Sequence, residues 1–228
     1  MGEGPSKAVS GDEELPLGQR LRDRRLALDL TLKDVADASN LSVGFISQIE
    51  RGITTPSLTS LVNVARALGA QVNDFLVQPK VTAPTTRHAE RPHYALGGNS
   101  LVYERLSSSF PGNILSSVII HEPPGFRSEP MSHEGEEIFF ILEGAMTIEI
   151  DGERSILEAG DSIHFPSTAT HVTWNHTTST TAILHTCTMD IFGEASIAES
   201  ATTGKAVRRG DRGLSAPQQR MTTKGKQS

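Results

Sequence analysis

Apolar residues recur at helical spacing through the first third of the chain. Leu17, Leu21, Leu26 and Leu28 mark one helix, Leu32, Val35 and Ala36 a second, and Phe45, Ile46 and Ile49 a third. Leu58, Leu61, Val62, Ala65 and Leu68 give a fourth helix its core-facing side, Gly69 ends it, and Asn73 to Leu76 make a last short turn. Thr31 caps the second helix, with Asp34 returning a bond to the cap, and Ser42 caps the third, which Gly52 stops. Two capped helices of about two turns across a tight break form a helix-turn-helix plan, and the second is short enough to enter a DNA major groove.

The period changes after residue 93. From Pro79 to Pro92 the chain has three prolines and no apolar rhythm, so residues 79–93 read as a semi-stiff linker. Short β-rich runs follow at Leu101–Tyr103, Ile114–His121, Glu137–Leu142, Met146–Ile150 and Ala182–Thr188, punctuated by Pro-Pro-Gly, Glu-Gly, Asp-Gly and Ala-Gly-Asp turns. Many short strands at even spacing suggest a barrel or jelly roll over residues 94–192. Residues 1–14 and 193–228 are polar and without period; both read as disordered, an arm and a basic tail.

Residues 17–76 resemble the XRE/Cro-type helix-turn-helix family. The resemblance rests on T-L-K-D-V-A-D-A-S-N-L-S-V-G-F-I-S-Q-I-E-R-G, Thr31 to Gly52, and on T-P-S-L-T-S-L-V-N-V-A-R-A-L-G, Thr55 to Gly69. It implies an all-α, five-helix, lambda-repressor-like DNA-binding domain over residues 15–78. It also implies a partly buried ion pair between Arg25 and Glu50 that ties the first helix to the third. With Phe45, Ile46 and Ile49 inward, Val43, Gly44, Ser47 and Gln48 are left on the outward side. Gln48 suits an adenine edge and Val43 a thymine methyl, while Thr31, Lys33 and Ser42 suit phosphates. Gly44 costs ~1 kcal/mol of helix propensity; close approach of DNA or helix packing would each explain it. Leu32 stands where many relatives carry a phosphate-bracing Gln.

The second half resembles the cupin family in two blocks. One is P-G-F-R-S-E-P-M-S-H-E-G-E-E-I-F-F-I-L-E-G, Pro124 to Gly144; the other is G-D-S-I-H-F-P-S-T-A-T-H-V-T-W-N, Gly160 to Asn175. Metal-binding cupins supply two histidines and a glutamate from the first block and a third histidine from the second. His133, Glu137 and His171 occupy three of those positions, and Met131 takes the fourth. Strand alternation places Glu129, Met131 and His133 on one face. Two imidazoles and a carboxylate suit one divalent Zn, Fe or Mn ion, although a thioether ligates such ions poorly. The same trio also reads as a hydrogen-bonded polar cluster. Arg127 and Glu129 at the mouth, with Phe139 and His164, complete the expected effector pocket. His121 and His185 read as satisfied barrel histidines.

Charge alters the picture of how DNA is held. The net charge is −6, divided as −2 over residues 1–78, −8 over 79–192 and +4 over 193–228. Phosphate neutralisation supplies much of protein–DNA affinity, so a monomer of this charge predicts modest binding and a need for a homodimer. Cys187 is the single cysteine, which excludes an intrachain disulfide and a cysteine-based zinc site. No apolar run approaches the ~20 residues of a membrane span and no signal segment precedes the first helix, so a cytoplasmic chain without membrane partners is expected.

Resemblance to the XRE–cupin group implies a non-enzymatic, sequence-specific transcriptional regulator. Its partners would be a double-stranded DNA operator, a small-molecule effector and a second copy of itself. A cupin-type metal-dependent dioxygenase or isomerase carrying a DNA-binding head is one alternative, which Met131 disfavours. A DNA-bound scaffold whose cupin only dimerises is another.

Overall fold

The computed structural model describes residues 15–76, 81–96 and 101–193. The arm at 1–14 and all but the first residue of the basic tail lie outside them. Four α-helices come first: α1 (Leu17–Ala27), α2 (Leu32–Ser39), α3 (Val43–Glu50) and α4 (Leu58–Ala67). The expected fifth helix is a single 3₁₀ turn, Val72–Asp74, closed by the Asp74 carboxylate accepting from the Gln71 amide at 2.8 Å.

The caps form as the residue types dictate. Thr31 Oγ1 accepts from the Asp34 amide at 3.1 Å, and Asp34 Oδ2 accepts from the Thr31 amide at 2.8 Å, a complete capping box. Asn40 ends α2 in the left-handed region, φ 55°, which turns the chain toward α3. In α1 the buried positions are Gly18, Leu21 and Arg25, three- and four-residue steps along one face. Leu26 and Leu28, expected in the stripe, are 51% and 40% exposed. Leu26 lies off that face, and the helix ends before Leu28. A Cβ on Gly18 would stand 2.2 Å from the Ile49 carbonyl oxygen, so its missing side chain lets α1 and α3 touch.

Nine antiparallel strands follow: β1 (His93–Ala95), β2 (Val102–Arg105), β3 (Ser116–Glu122), β4 (Glu136–Glu143), β5 (Ala145–Ile150), β6 (Glu153–Glu158), β7 (Ser162–Pro166), β8 (His171–Trp174) and β9 (Thr181–Cys187). They form a six-stranded sheet, β1-β2-β3-β9-β4-β7, and a three-stranded sheet, β6-β5-β8. Period-2 burial sets what faces inward: Val118, Ile120 and Glu122 from β3, Glu137, Phe139 and Ile141 from β4, Ile183, His185 and Cys187 from β9. Phe139, Ile141, Met146, Ile148, Phe165 and Ile183 make the centre of one core.

A second core runs without a break from the helices into the sheet, joining Leu58, Leu61 and Val72 to Tyr103, Val118, Ile191 and Phe192. Hydrogen bonds cross the same boundary. The Leu58 amide donates to the Tyr103 hydroxyl at 3.0 Å, Asn40 Nδ2 to Ser132 Oγ at 2.7 Å, and Asn73 Nδ2 to the Phe192 carbonyl.

Candidate functional site

On the helical side, α3 buries Phe45, Ile46 and Ile49 and exposes Val43, Gly44 and Gln48, with Ser47 half-buried. Burying Ile46 and Ile49 fixes the helix's rotation, so the outward set follows. The Ser42 hydroxyl oxygen accepts from the Phe45 amide at 3.1 Å and keeps its own proton for an outside acceptor. Thr31 differs: its hydroxyl already donates to Asp34 Oδ2 at 2.7 Å, which competes with a phosphate contact. Lys33 is exposed and paired with Asp37 one turn on. A Cβ on Gly44 would meet only Ser42 Oγ, at 4.0 Å, so no helix packing among the described residues requires a glycine there. The Arg25 guanidinium holds both Glu50 oxygens and donates to the Leu30 carbonyl at 2.8 Å.

On the barrel side, His133, Glu137 and His171 bring their ligand atoms within 4.8 Å of one another. His133 Nε2 is 2.7 Å from Glu137 Oε1, yet this nitrogen has no aligned hydrogen-bond partner. His171 Nε2 is 3.6 Å from Glu137 Oε2. The other nitrogens touch backbone carbonyls: His133 Nδ1 that of Glu134 at 3.0 Å, His171 Nδ1 that of Ala169 at 2.9 Å. A carbonyl only accepts, so each Nδ1 carries its proton and Nε2 is the nitrogen turned to the carboxylate, the one a metal would take in place of a proton. The donor set fits one divalent cation with open positions. Met131, 5% exposed, exchanges backbone hydrogen bonds with His171 and offers only its thioether.

The electrostatics follow from burial and proximity. Desolvation opposes ionisation of Glu137, but His133 and His185 outweigh it and hold the carboxyl well below its ordinary range. Desolvation likewise disfavours the His133 imidazolium, yet Glu137 keeps that pKa above its usual value. For His171 desolvation prevails and lowers it.

The cavity beside this cluster has a volume of about 50 Å³. Met131, Glu137, Phe139 and His171 line it; Arg127, Glu129, His133 and His164 do not. Arg127 lies over the Trp174 ring at 4.1 Å from its centroid. His164 occupies an outward position of β7 and faces Glu136 at 3.1 Å, both exposed, because alternation turns Phe165 inward instead. Glu129 is partly buried outside the cavity.

Two lining groups fall outside the expected pocket. His185, read from the sequence as a satisfied barrel histidine, instead has a buried Nε2 without an aligned hydrogen-bond partner; it stacks on Phe139 at 4.6 Å and stands 3.7 Å from Glu137 Oε2, a fourth member of the cluster. The alternation of Ile183, His185 and Cys187 carried the signal. Glu122 ends β3 with Oε2 buried and without a hydrogen-bond partner. His121, as expected, is satisfied, with Nε2 2.7 Å from Glu104 Oε1.

These two parts, a helix-turn-helix and a cupin barrel, define the class. A family model described as Helix-turn-helix matches residues 21–75, and one described as Cupin domain matches 118–187. The chain is 28% identical over 153 residues to the HTH-type transcriptional regulator PuuR of Escherichia coli strain K12, spanning 66% of this chain and 83% of that protein. It is 24% identical over 158 residues to SutR of the same organism, 68% of this chain and 85% of that one. A crystal structure of an HTH_3 family transcriptional regulator from Vibrio cholerae aligns over 76% of this chain and 95% of its own, with 21% identity and a TM-score of 0.49. The chain belongs to the XRE-type helix-turn-helix transcriptional regulators that carry a cupin domain. Among the described residues no helix is long and apolar enough to cross a membrane.

Proposed function

We propose that the chain is a cytoplasmic homodimeric regulator whose residues 15–78 read a DNA operator and whose residues 94–192 bind a small effector and dimerise, with 79–93 as linker. The observation that carries it is the outward face of α3, where Val43, Gly44 and Gln48 are exposed on a helix locked by Arg25–Glu50. Gln48 offers donor and acceptor together to an adenine edge, Val43 an apolar contact, and Ser42 and Lys33 contacts to phosphate. Two heads half-sites apart compensate for the net −2 of residues 1–78, since each half-site alone releases few counterions.

The barrel serves binding rather than turnover. His133, Glu137 and His171 hold one divalent ion, and Met131 in the fourth place favours a structural or sensing role for it. The effector shifts the population of head arrangements and so alters fit to the two half-sites. Sedimentation of the protein with duplexes carrying one or two half-sites tests this. Two chains should bind the two-site duplex far more tightly than one chain binds the single site; equal affinities reject the dimeric reading.

A further inference from the structure

The barrel cavity is not closed by the barrel alone. Ser57, Leu58 and Thr59, where α4 begins, line it together with Tyr103 and Glu122 of the sheet. Leu58 is 3% exposed, and its amide is hooked to the Tyr103 hydroxyl. Anything in the cavity therefore touches the helical domain directly.

The cavity's charge is one-sided. Its lining holds two carboxyl groups and two imidazoles but no lysine or arginine. Glu137 is matched by its histidines, whereas Glu122, 3% exposed, has no ion-pair partner among the described residues and its Oε2 no hydrogen bond. The β9 register sets Glu122 beside Thr181 and Glu137 beside Cys187, at opposite ends of that strand. A buried polar atom left unpaired costs about 1–3 kcal/mol, a cost that a ligand donor would remove. An anion would find no cationic lysine or arginine in the lining to offset its desolvation.

We propose that this cavity binds a compact primary amine, its ammonium group paired with Glu122 and its carbon chain packed beneath Leu58. The proposal rests on the effector-sensing reading above and names the effector's chemical class and its contact with the helical domain. The volume of about 50 Å³ accommodates a few water-sized groups, so an amine of three or four heavy atoms fits with Leu58 in place. A longer chain has to push Leu58 aside, which strains the seam between α4 and the barrel. Burial pushes the Glu122 carboxyl up to about 8, so near neutral pH it is mostly protonated. An arriving ammonium ion stabilises the carboxylate, and the carboxyl proton leaves to solvent; charge balances at one proton out per amine bound.

Calorimetry on the full-length protein tests this with n-propylamine, 1-propanol and propionate in two buffers of different ionisation heat. Propylamine should bind about tenfold more tightly than either other probe and release close to one proton. Glu122→Gln should abolish both the preference and the release; if that variant fails to fold, the wild-type preference for propylamine over 1-propanol and propionate decides. Leu58→Ala should improve hexylamine binding about fivefold relative to propylamine. Tyr103→Phe, which unhooks the Leu58 amide while keeping the ring in the lining, should act in the same direction. Propionate binding as tightly as propylamine, or no proton release, overturns the amine assignment. An unchanged chain-length preference in both Leu58 and Tyr103 variants overturns the roof. Selective DNA binding without amine binding rejects this inference and leaves the regulator reading intact; amine binding without any duplex preference rejects that reading instead.

Discussion

Arg25 grips both oxygens of Glu50, Nε to Oε1 at 2.6 Å and Nη2 to Oε2 at 2.8 Å, and so clamps α1 to the end of α3. Both side chains are nearly buried, at 10% and 8% exposure. Removing either partner leaves a desolvated charge, so Arg25→Ala or Glu50→Ala should cost about 3–5 kcal/mol, while the double replacement should cost less than the two losses together. Arg25→Lys should fare poorly because an ammonium cannot span two oxygens and the Leu30 carbonyl. Urea unfolding followed by far-ultraviolet circular dichroism gives these values; equal stability of the single variants and the wild type would show the clamp is idle.

Two glycines should respond oppositely to the same change. Gly18→Ala drives a methyl into the Ile49 carbonyl oxygen, 2.2 Å from the ideal Cβ, and should destabilise by about 1–3 kcal/mol. Gly44→Ala meets only Ser42 Oγ, at 4.0 Å, and should stabilise the helix by about 1 kcal/mol. If DNA backbone lies against Gly44, that stabilised variant should nevertheless bind duplex more weakly. Melting curves and duplex titrations on the same preparations separate the effects.

The contrast also indicates what sequence could convey. Caps at Thr31 and Ser42, the buried trio Phe45, Ile46 and Ile49, and the convergence of His133, Glu137 and His171 are local patterns or family spacings, and all were legible. His164 was misplaced because a strand's phase cannot be known before its partner is: pairing Ile138 with His164 turns both outward. Arg127 went to Trp174, a partner 47 positions away that only the fold brings near. Glu122 left no signal at all. A carboxylate at a strand end reads as solvent-facing until the helical domain is packed against the barrel.

The two inward carboxyls should leave opposite marks on stability against pH. Glu122 is raised from 4.5 to about 8, so between those values the native state holds a proton the unfolded state has lost, and stability falls as pH rises. Glu122→Gln should therefore gain on the wild type progressively from pH 5 to pH 8, by about a few kcal/mol at most. Glu137 is depressed below 4.5; its contribution is present above that value and fades as pH falls beneath it. Glu137→Gln should accordingly cost most near neutrality and least in acid. Melting temperatures from about pH 2 to pH 8 measure both, and parallel curves for all three proteins would contradict the assignment.

Metal loading is read independently of DNA. Adding Mn(II), Zn(II) or Fe(II) to chelator-treated protein should raise its melting temperature at no more than one ion per chain, with about 2.7 kcal/mol gained at a hundredfold excess over Kd. His171→Ala and His133→Ala should each lose the response, and His164→Ala should keep it, because His164 faces outward. Retention by the His171 variant would place the ion elsewhere.

The identity of the bases read by α3 bears most directly on the whole account. The intact protein, selected against a pool of randomised duplexes at moderate salt, should enrich a two-fold sequence with half-sites about one helical turn apart. Gln48→Ala should relax one position in each half-site, a loss of about 1–3 kcal/mol in discrimination, while Lys33→Ala weakens all duplexes alike. A pool that emerges unenriched, or an identical enriched sequence from the Gln48 variant, would contradict it.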